Sequence, residues 1–182
     1  LSLSTRLYYG FGAVAYGVKD NGFSYFLLLY YNQALGLPGP TAGLALLIAL
    51  AFDAVSDPIV GHLSDNLHSR WGRRHPFMYA AALPVAVAYF LIWNPPAGLS
   101  ETGLFVHLVC TAVAVRLFVT LYEVPSTALV AELTQDYDER TALLSYRAFF
   151  GWYGGLLVAV LAYAVFLADG PDGRSGFVNP DG

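Results

Sequence analysis

The sequence predicts an all-α membrane protein with five transmembrane helices, from its composition and from the length and punctuation of its apolar stretches. Of its 182 residues, 57% are hydrophobic and 12% are charged, and the mean hydropathy is +0.53. A soluble domain usually has about 45–50% apolar and about 25% charged residues. One globular core could not enclose so much apolar surface, so we expect the surplus to face a lipid bilayer.

Five apolar stretches are long enough to cross a hydrocarbon layer, which takes about 20 mostly apolar residues. They cover residues 7–31, 41–63, 77–93, 103–133 and 141–167 and are expected to form one bundle, residues 1–168. Gly- and Pro-rich loops follow the first and third stretches, and polar loops follow the second and fourth. Residues 169–182 are polar and are predicted to form an extracytoplasmic tail. Because the chain begins at Leu1 and stops in this polar stretch, we expect it to be a fragment.

Positive charge predicts the orientation of the bundle in the cell membrane. The loop after the second stretch carries Arg70, Arg73 and Arg74, and the loop after the fourth carries Arg140, whereas the two other loops carry no Lys or Arg. Cytoplasmic loops are enriched in these residues. The N-terminus and both charged loops are therefore predicted to be cytoplasmic, and the tail to lie outside.

Several classes of protein are disfavoured by the same composition. The net charge of −4 is mild and scattered, which does not suit a nucleic-acid-binding protein. The single Cys110 allows no disulfide framework, and the histidines show no convincing zinc spacing. No nucleophile–base arrangement or phosphate loop is visible, so we expect neither an enzyme nor a cofactor.

Ionisable side chains inside the spans are the informative feature, because a charge at bilayer depth costs a few kcal/mol or more and normally faces a protein interior or an aqueous cavity. Eight such residues occur, which indicates that something polar passes through the bundle. Glu132, near a cytoplasmic end, is expected to snorkel or to anchor a loop. The eight residues are Lys19, Asp20, Asp53, Asp57, Arg116, Glu123, Glu132 and Arg147.

Asp53, Ser56 and Asp57 share one face of one helical turn, since they stand at positions i, i+3 and i+4. Two carboxylates and a hydroxyl form an oxygen-rich pocket that favours a bound cation or proton. Pro58 follows directly and frees a backbone carbonyl one turn earlier, which is a further possible ligand.

Two alternatives stay open on these residues alone. Asp53 and Asp57 could instead bind Arg116 or Arg147 as buried structural pairs, which are tolerated when fully satisfied. Lys19 and Asp20 could contact a substrate or an ion, or could form a local structural pair.

Residues 53–76, from the Asp-Ala-Val-Ser-Asp-Pro run to the Arg-Trp-Gly-Arg-Arg-His-Pro run, resemble the signature of the glycoside–pentoside–hexuronide:cation symporters. This family includes the melibiose permeases and belongs to the major facilitator superfamily. Residues 10–20, 120–125 and 138–147 resemble the same family. The resemblance implies a twelve-helix fold, of which this chain covers five helices of the N-terminal bundle, and a missing C-terminal half as its partner.

The resemblance also implies sugar uptake coupled to sodium or protons by alternating access, with no metal other than a sodium ion at the cation site. Its implied site residues fall into three groups. The cation site is Asp53, Ser56, Asp57 and Thr120; the substrate site is Asp20, Glu123 and Arg147, to which we add Lys19; the conformational latch is Gly61, Asp65, Arg70, Gly72, Arg73 and Arg74.

Two departures from the melibiose permeases bear on specificity. Ser56 stands where they have Asn, and Thr127 stands where they have a sugar-stacking Trp, so the ion and the substrate stay open. A transporter of lysolipids or other amphiphiles is one alternative function. A membrane sensor or assembly scaffold that uses its charges only for packing is another.

Overall fold

The computed structural model describes residues 1–67 and 69–166. Every regular element among them is helical, which confirms the all-α fold class. The α-helices are α1 (Leu3–Phe11), α2 (Val14–Asn21), α3 (Gly39–Asn66), α4 (His75–Trp93), α5 (Glu101–Ala128), α6 (Val130–Leu133) and α7 (Tyr137–Leu161). Wider π-helical segments run over Gly22–Leu27, Tyr30–Ala34 and Ala162–Phe166.

Four helical stretches of the described chain are long and apolar enough to cross a membrane: Gly39–Asn66, His75–Trp93, Glu101–Leu133 and Tyr137–Ala164. They match the second to fifth predicted spans. Large apolar side chains on these helices remain exposed, among them Leu47, Leu83 and Phe90. Such surfaces suit contact with lipid.

The first predicted span, residues 7–31, differs from the expected single continuous helix. α1 stops at Phe11, and after Gly12 and Ala13 the chain resumes as α2. The backbone then widens into π-helical turns from Gly22 onward. Glycine has a low helix propensity, which explains why the break falls beside Gly12. Wider turns of this kind are frequent at functional sites.

The chain divides into two compact units, which we describe separately. One unit contains residues 1–39 together with the chain from residue 134 onward, and the other contains residues 40–133. The predicted domain boundary at residue 168 and the predicted tail, residues 169–182, lie outside the described residues.

In the first unit, α2 and α7 meet backbone to backbone at glycines. A Cβ atom added at Gly17 would collide with the carbonyl of Gly151, and one added at Gly154 would lie 2.6 Å from the carbonyl oxygen of Val14. Glycine permits this close approach because it has no side chain, as is common between helices in lipid.

In the second unit, α4 packs against α5, and the ring of His107 lies 3.1 Å from the carbonyl oxygen of Leu91. Helix α5 begins at a capped end, where the backbone N–H of Gly103 donates to the Ser100 hydroxyl at 3.2 Å. Helices α3 and α5 carry the charged side chains described next.

Candidate functional site

Two side-chain contacts one helical turn apart join α3 to α5. The Arg116 guanidinium donates to Asp53 Oδ2, and the Thr120 hydroxyl donates to Asp57 Oδ1 at 2.9 Å. The partners are 63 positions apart in both contacts. The i, i+4 spacing on each helix therefore places the two contacts one turn apart. We call them the Asp53 rung, formed by Asp53 and Arg116, and the Asp57 rung, formed by Asp57 and Thr120.

The Asp53 rung is an ion pair that is mostly shielded from solvent. The side chains of Arg116 and Asp53 are 17% and 22% exposed. Asp53 Oδ2 accepts from the guanidinium, while Asp53 Oδ1 is buried without a hydrogen-bond partner. A buried carboxylate oxygen without a partner is costly, so this atom favours any positive charge that can reach it.

The Asp57 rung has a different character. Thr120 is buried, at 7% exposure, whereas Asp57 is exposed and receives a neutral donor instead of a cation. A hydroxyl holds the carboxylate in place but does not cancel its charge. The Thr120 oxygen also keeps lone pairs with which it could bind a cation.

Ser56 lies between the two rungs in sequence and is buried, at 5% exposure. Its hydroxyl lies 3.4 Å from the backbone carbonyl oxygen of Asp53, a long contact directed back along its own helix. The four residues of the predicted cation site thus lie on facing turns of α3 and α5, with Arg116 beside them. Of the structural pairs that the sequence left open, Asp53–Arg116 is formed, and cation binding at Asp57 stays a prediction.

The predicted substrate residues are divided between the two units. Glu123 is half-buried on α5, one turn beyond Thr120, and belongs to the second unit. In the first unit, Lys19 Nζ lies 3.8 Å from Asp20 Oδ1 and 4.7 Å from the ring centroid of Tyr16. The local pair that the sequence allowed is therefore formed.

Arg147 is buried, at 8% exposure, and donates to the Tyr9 hydroxyl at 3.2 Å. Its guanidinium carbon also lies 5.7 Å from the centroid of the Tyr9 ring. No spacing signal in the sequence links Arg147 to Tyr9, which is 138 positions away.

The loop between α3 and α4 is held by ion pairs of the second unit. Arg74 donates to Asp65 at 3.1 Å, and Arg73 donates to Glu132 Oε1 at 2.9 Å. Arg74 Nε lies 3.4 Å from the same Glu132 oxygen. Glu132 thus anchors the loop, one of the two roles expected for it.

The remaining residues of the predicted latch are Gly61, Arg70 and Gly72, and none of them is a partner in these three ion pairs. Gly72 has a φ of +88°, a backbone conformation that favours glycine. The Arg70 guanidinium carbon lies 5.8 Å from the ring centroid of Trp71. A Cβ atom added at Gly61 would make an ordinary contact with Val124, at 3.7 Å.

No cluster of three or more His, Cys, Asp or Glu side chains with metal-binding geometry occurs within residues 1–67 and 69–166. Where α3 faces α5, the side chains of Asp53, Asp57 and Thr120 offer carboxylate and hydroxyl oxygens. Oxygen ligands are the kind that alkali cations take in proteins.

A family model described as MFS/sugar transport protein matches residues 8–179. The chain belongs to this family. An uncharacterized symporter of Synechocystis is 38% identical to it over 94% of this chain, and an isoprimeverose transporter of Lactiplantibacillus pentosus is 28% identical over 87%. A sodium-dependent lysophosphatidylcholine symporter of Gallus gallus is 28% identical over 81% of the chain.

This member of the MFS/sugar transport family spans about a third of the length of these relatives, which is 32%, 33% and 28% of each, respectively. Together with its four membrane-length helices, the match identifies the chain as part of an integral membrane protein.

Proposed function

We propose that the full-length protein is a secondary active transporter that couples uptake of a sugar or glycoside to a sodium ion or a proton by alternating access. The observation that carries this proposal is the Asp57–Thr120 rung, which presents an uncompensated carboxylate on a membrane-spanning helix. Membership of a sugar transport family and the similarity to an isoprimeverose transporter support the choice of solute.

Coupling follows from the energy of the Asp57 charge. Closing a helical bundle around an uncompensated carboxylate costs a few kcal/mol or more, because the anion loses its water. A cation bound at Asp57 removes that cost, so ion binding and occlusion favour each other. This reciprocal free energy is what couples the ion gradient to solute movement.

The solute is proposed to contact Asp20, Glu123 and Arg147, with Lys19 nearby. Carboxylates and guanidinium groups form strong charge-assisted hydrogen bonds with hydroxyls, which suits a sugar. The Asp20 side chain is 53% exposed and accessible within its unit.

The proposed orientation places the N-terminus and the loops at Arg70–Arg74 and Arg140 in the cytoplasm, following their positive charge. Within the cytoplasmic loop, the pairs of Arg73 and Arg74 with Glu132 and Asp65 are proposed to stabilise the outward-open state.

The test is Asp57→Asn in the full-length protein reconstituted in proteoliposomes. The variant should be expressed normally and lose cation-dependent uptake, because an amide carries no charge for the ion to neutralise. Asp138→Asn is the matched control, since Asp138 is an exposed carboxylate in the first turn of α7. Unchanged sodium and proton dependence in Asp57→Asn would remove the coupling site.

A lysolipid or similar amphiphile is the second candidate solute. The Gallus gallus relative is named for lysophosphatidylcholine, and Thr127 is an exposed small side chain where a sugar-stacking Trp would stand. Competition between labelled sugars and a lysolipid panel separates the two solutes. A sensor or scaffold, in contrast, would give no flux with either.

A further inference from the structure

We infer that Arg116 is a tethered counter-cation: it neutralises Asp53 permanently, so that the site takes a single coupling ion, at Asp57, and binds it weakly. The inference rests on the proposed cation coupling and adds a residue that sets the stoichiometry and affinity of that site. Two carboxylates on one helical face have unequal partners, an arginine at Asp53 and a threonine at Asp57.

The charges of the two rungs do not cancel. Asp53 and Asp57 contribute two negative charges, and Arg116 contributes one positive charge in direct contact with Asp53 Oδ2. Thr120 contributes none. One added monovalent cation therefore makes the two rungs neutral, which is the condition for occlusion in a low-dielectric layer.

Arg116 also lowers the affinity of that one ion. It stands one turn from Thr120 on the same helix, a spacing at which Cβ atoms are about 5–6 Å apart. Repulsion between two unit charges at this range and an effective permittivity of about 20 weakens ion binding about 10- to 100-fold.

The position of the guanidinium affects coordination as well as charge. It occupies Asp53 Oδ2, and only Asp53 Oδ1 is left to face an incoming ion. Without Arg116, both oxygens of Asp53 would be open to cations. The site would then hold two uncompensated carboxylates, and occlusion would require two ions.

The experiment compares Arg116→Gln, Arg116→Lys and the wild type as purified full-length proteins. The thermal unfolding midpoint is measured as Na⁺ replaces choline at constant ionic strength. If H⁺ drives wild-type uptake, the midpoint is instead measured as the pH is lowered at constant ionic strength. Arg6→Gln is the matched control, because Arg6 forms a partly exposed pair with Glu139 at 3.7 Å in the other unit.

For Arg116→Gln we expect a half-saturating ion concentration about 10- to 100-fold lower than that of the wild type. Its Hill slope should rise from about one toward about two, since two carboxylates now need compensation. The ion-free variant should unfold at a lower temperature than the wild type and regain stability on ion binding, because Asp53 has lost its counter-charge. Arg116→Lys and Arg6→Gln should resemble the wild type.

A second variant keeps the inference testable if Arg116→Gln does not fold. Asp53→Asn combined with Arg116→Gln removes both charges of the pair, which is often tolerated. We expect a single-ion slope and an affinity close to that of the wild type, because the net charge beside Asp57 is unchanged. Loss of the ion response in this double variant would show that Asp53 is a direct ligand and would overturn the inference.

An unchanged or weaker affinity in Arg116→Gln, in a protein whose wild type responds to the ion, would overturn the counter-cation role and leave the proposed coupling intact. If neither Na⁺ nor H⁺ drives uptake or shifts unfolding in any variant, the proposed coupling fails and the inference fails with it.

Discussion

At the scale of single residues, the Thr120 hydroxyl is the most direct link between the two facing helices at Asp57. It donates to Asp57 Oδ1 at 2.9 Å from a buried position, so it orients the carboxylate. In the proposed cation site, its oxygen is also a ligand for sodium. A proton needs no such ligand, so the hydroxyl matters differently for the two proposed coupling ions.

Thr120→Val should therefore distinguish the two coupling ions. If sodium is the ion, loss of the hydroxyl ligand should raise the half-saturating sodium concentration about tenfold, equivalent to about 1.4 kcal/mol. If a proton is the ion, uptake should not depend on sodium in Thr120→Val or in the wild type. Initial uptake rates measured against sodium concentration at constant pH check both outcomes.

Thr111→Val is the control for this substitution. The Thr111 hydroxyl donates to the carbonyl of His107 on the same helix at 2.6 Å, and Thr111 stands nine positions before Thr120. Loss of the Thr111 hydroxyl should leave the sodium dependence of uptake unchanged. An unaltered ion response in Thr120→Val would mean that the hydroxyl contributes nothing to the site.

The sequence identified the face of α3 that carries Asp53 and Asp57, because helical periodicity determines which residues of one turn lie together. It did not determine which arginine would bind Asp53. That choice depends on the relative register of two helices separated by 63 positions, and no local pattern encodes it. The Arg147–Tyr9 contact escaped prediction for the same reason.

At the scale of elements, the contact between α2 and α7 depends on the absence of side chains. A Cβ atom at Gly17 has no room beside the Gly151 carbonyl, and backbone atoms cannot move aside as a flexible side chain can. Gly43, in the interior of α3, has nothing within 4 Å of its added Cβ.

Gly17→Ala should destabilise the full-length protein by about 1–3 kcal/mol through overpacking. Gly43→Ala should leave stability unchanged or raise it by about 0.5–1 kcal/mol, because alanine is the better helix former. Thermal unfolding midpoints in detergent measure the difference. Equal effects of the two substitutions would contradict the close packing of α2 on α7.

The loop between α3 and α4 gives a second prediction at this scale. Glu132→Gln and Arg73→Gln should each slow uptake about 2- to 5-fold, as expected for partly exposed ion pairs. Because they remove the same contact, the double variant should be no slower than the slower single variant. Multiplied effects in initial uptake rates would show that the two side chains act independently.

Hydropathy predicted four of the five spans in agreement with the described helices, since length and apolar content determine which segments can cross a bilayer. It did not predict that residues 7–31 are divided among α1, α2 and π-helical turns. Average hydropathy contains no information on the width of a helical turn. The sequence contains glycines at positions 12 and 22, where the helix changes. Glycine alone does not predict such a change, because it is also common where helices pack closely.

At the scale of the whole molecule, loop charge leads to a test of orientation. In a Cys110→Ser background, Ala97→Cys lies in an uncharged loop and Gln135→Cys in a loop that carries Arg140. A membrane-impermeant maleimide should label Ala97→Cys in intact cells and Gln135→Cys only after permeabilisation. Labelling of Gln135→Cys in intact cells would contradict the predicted orientation and place this loop outside the cell.

The packing of α1 and α2 on α7 has a consequence for biosynthesis. Their partner α7 begins at Tyr137, about 115 residues after α2 ends, which a ribosome synthesises in roughly ten seconds. During that interval α2 lacks the helix on which Gly17 packs, so this contact forms only after most of this chain has been synthesised.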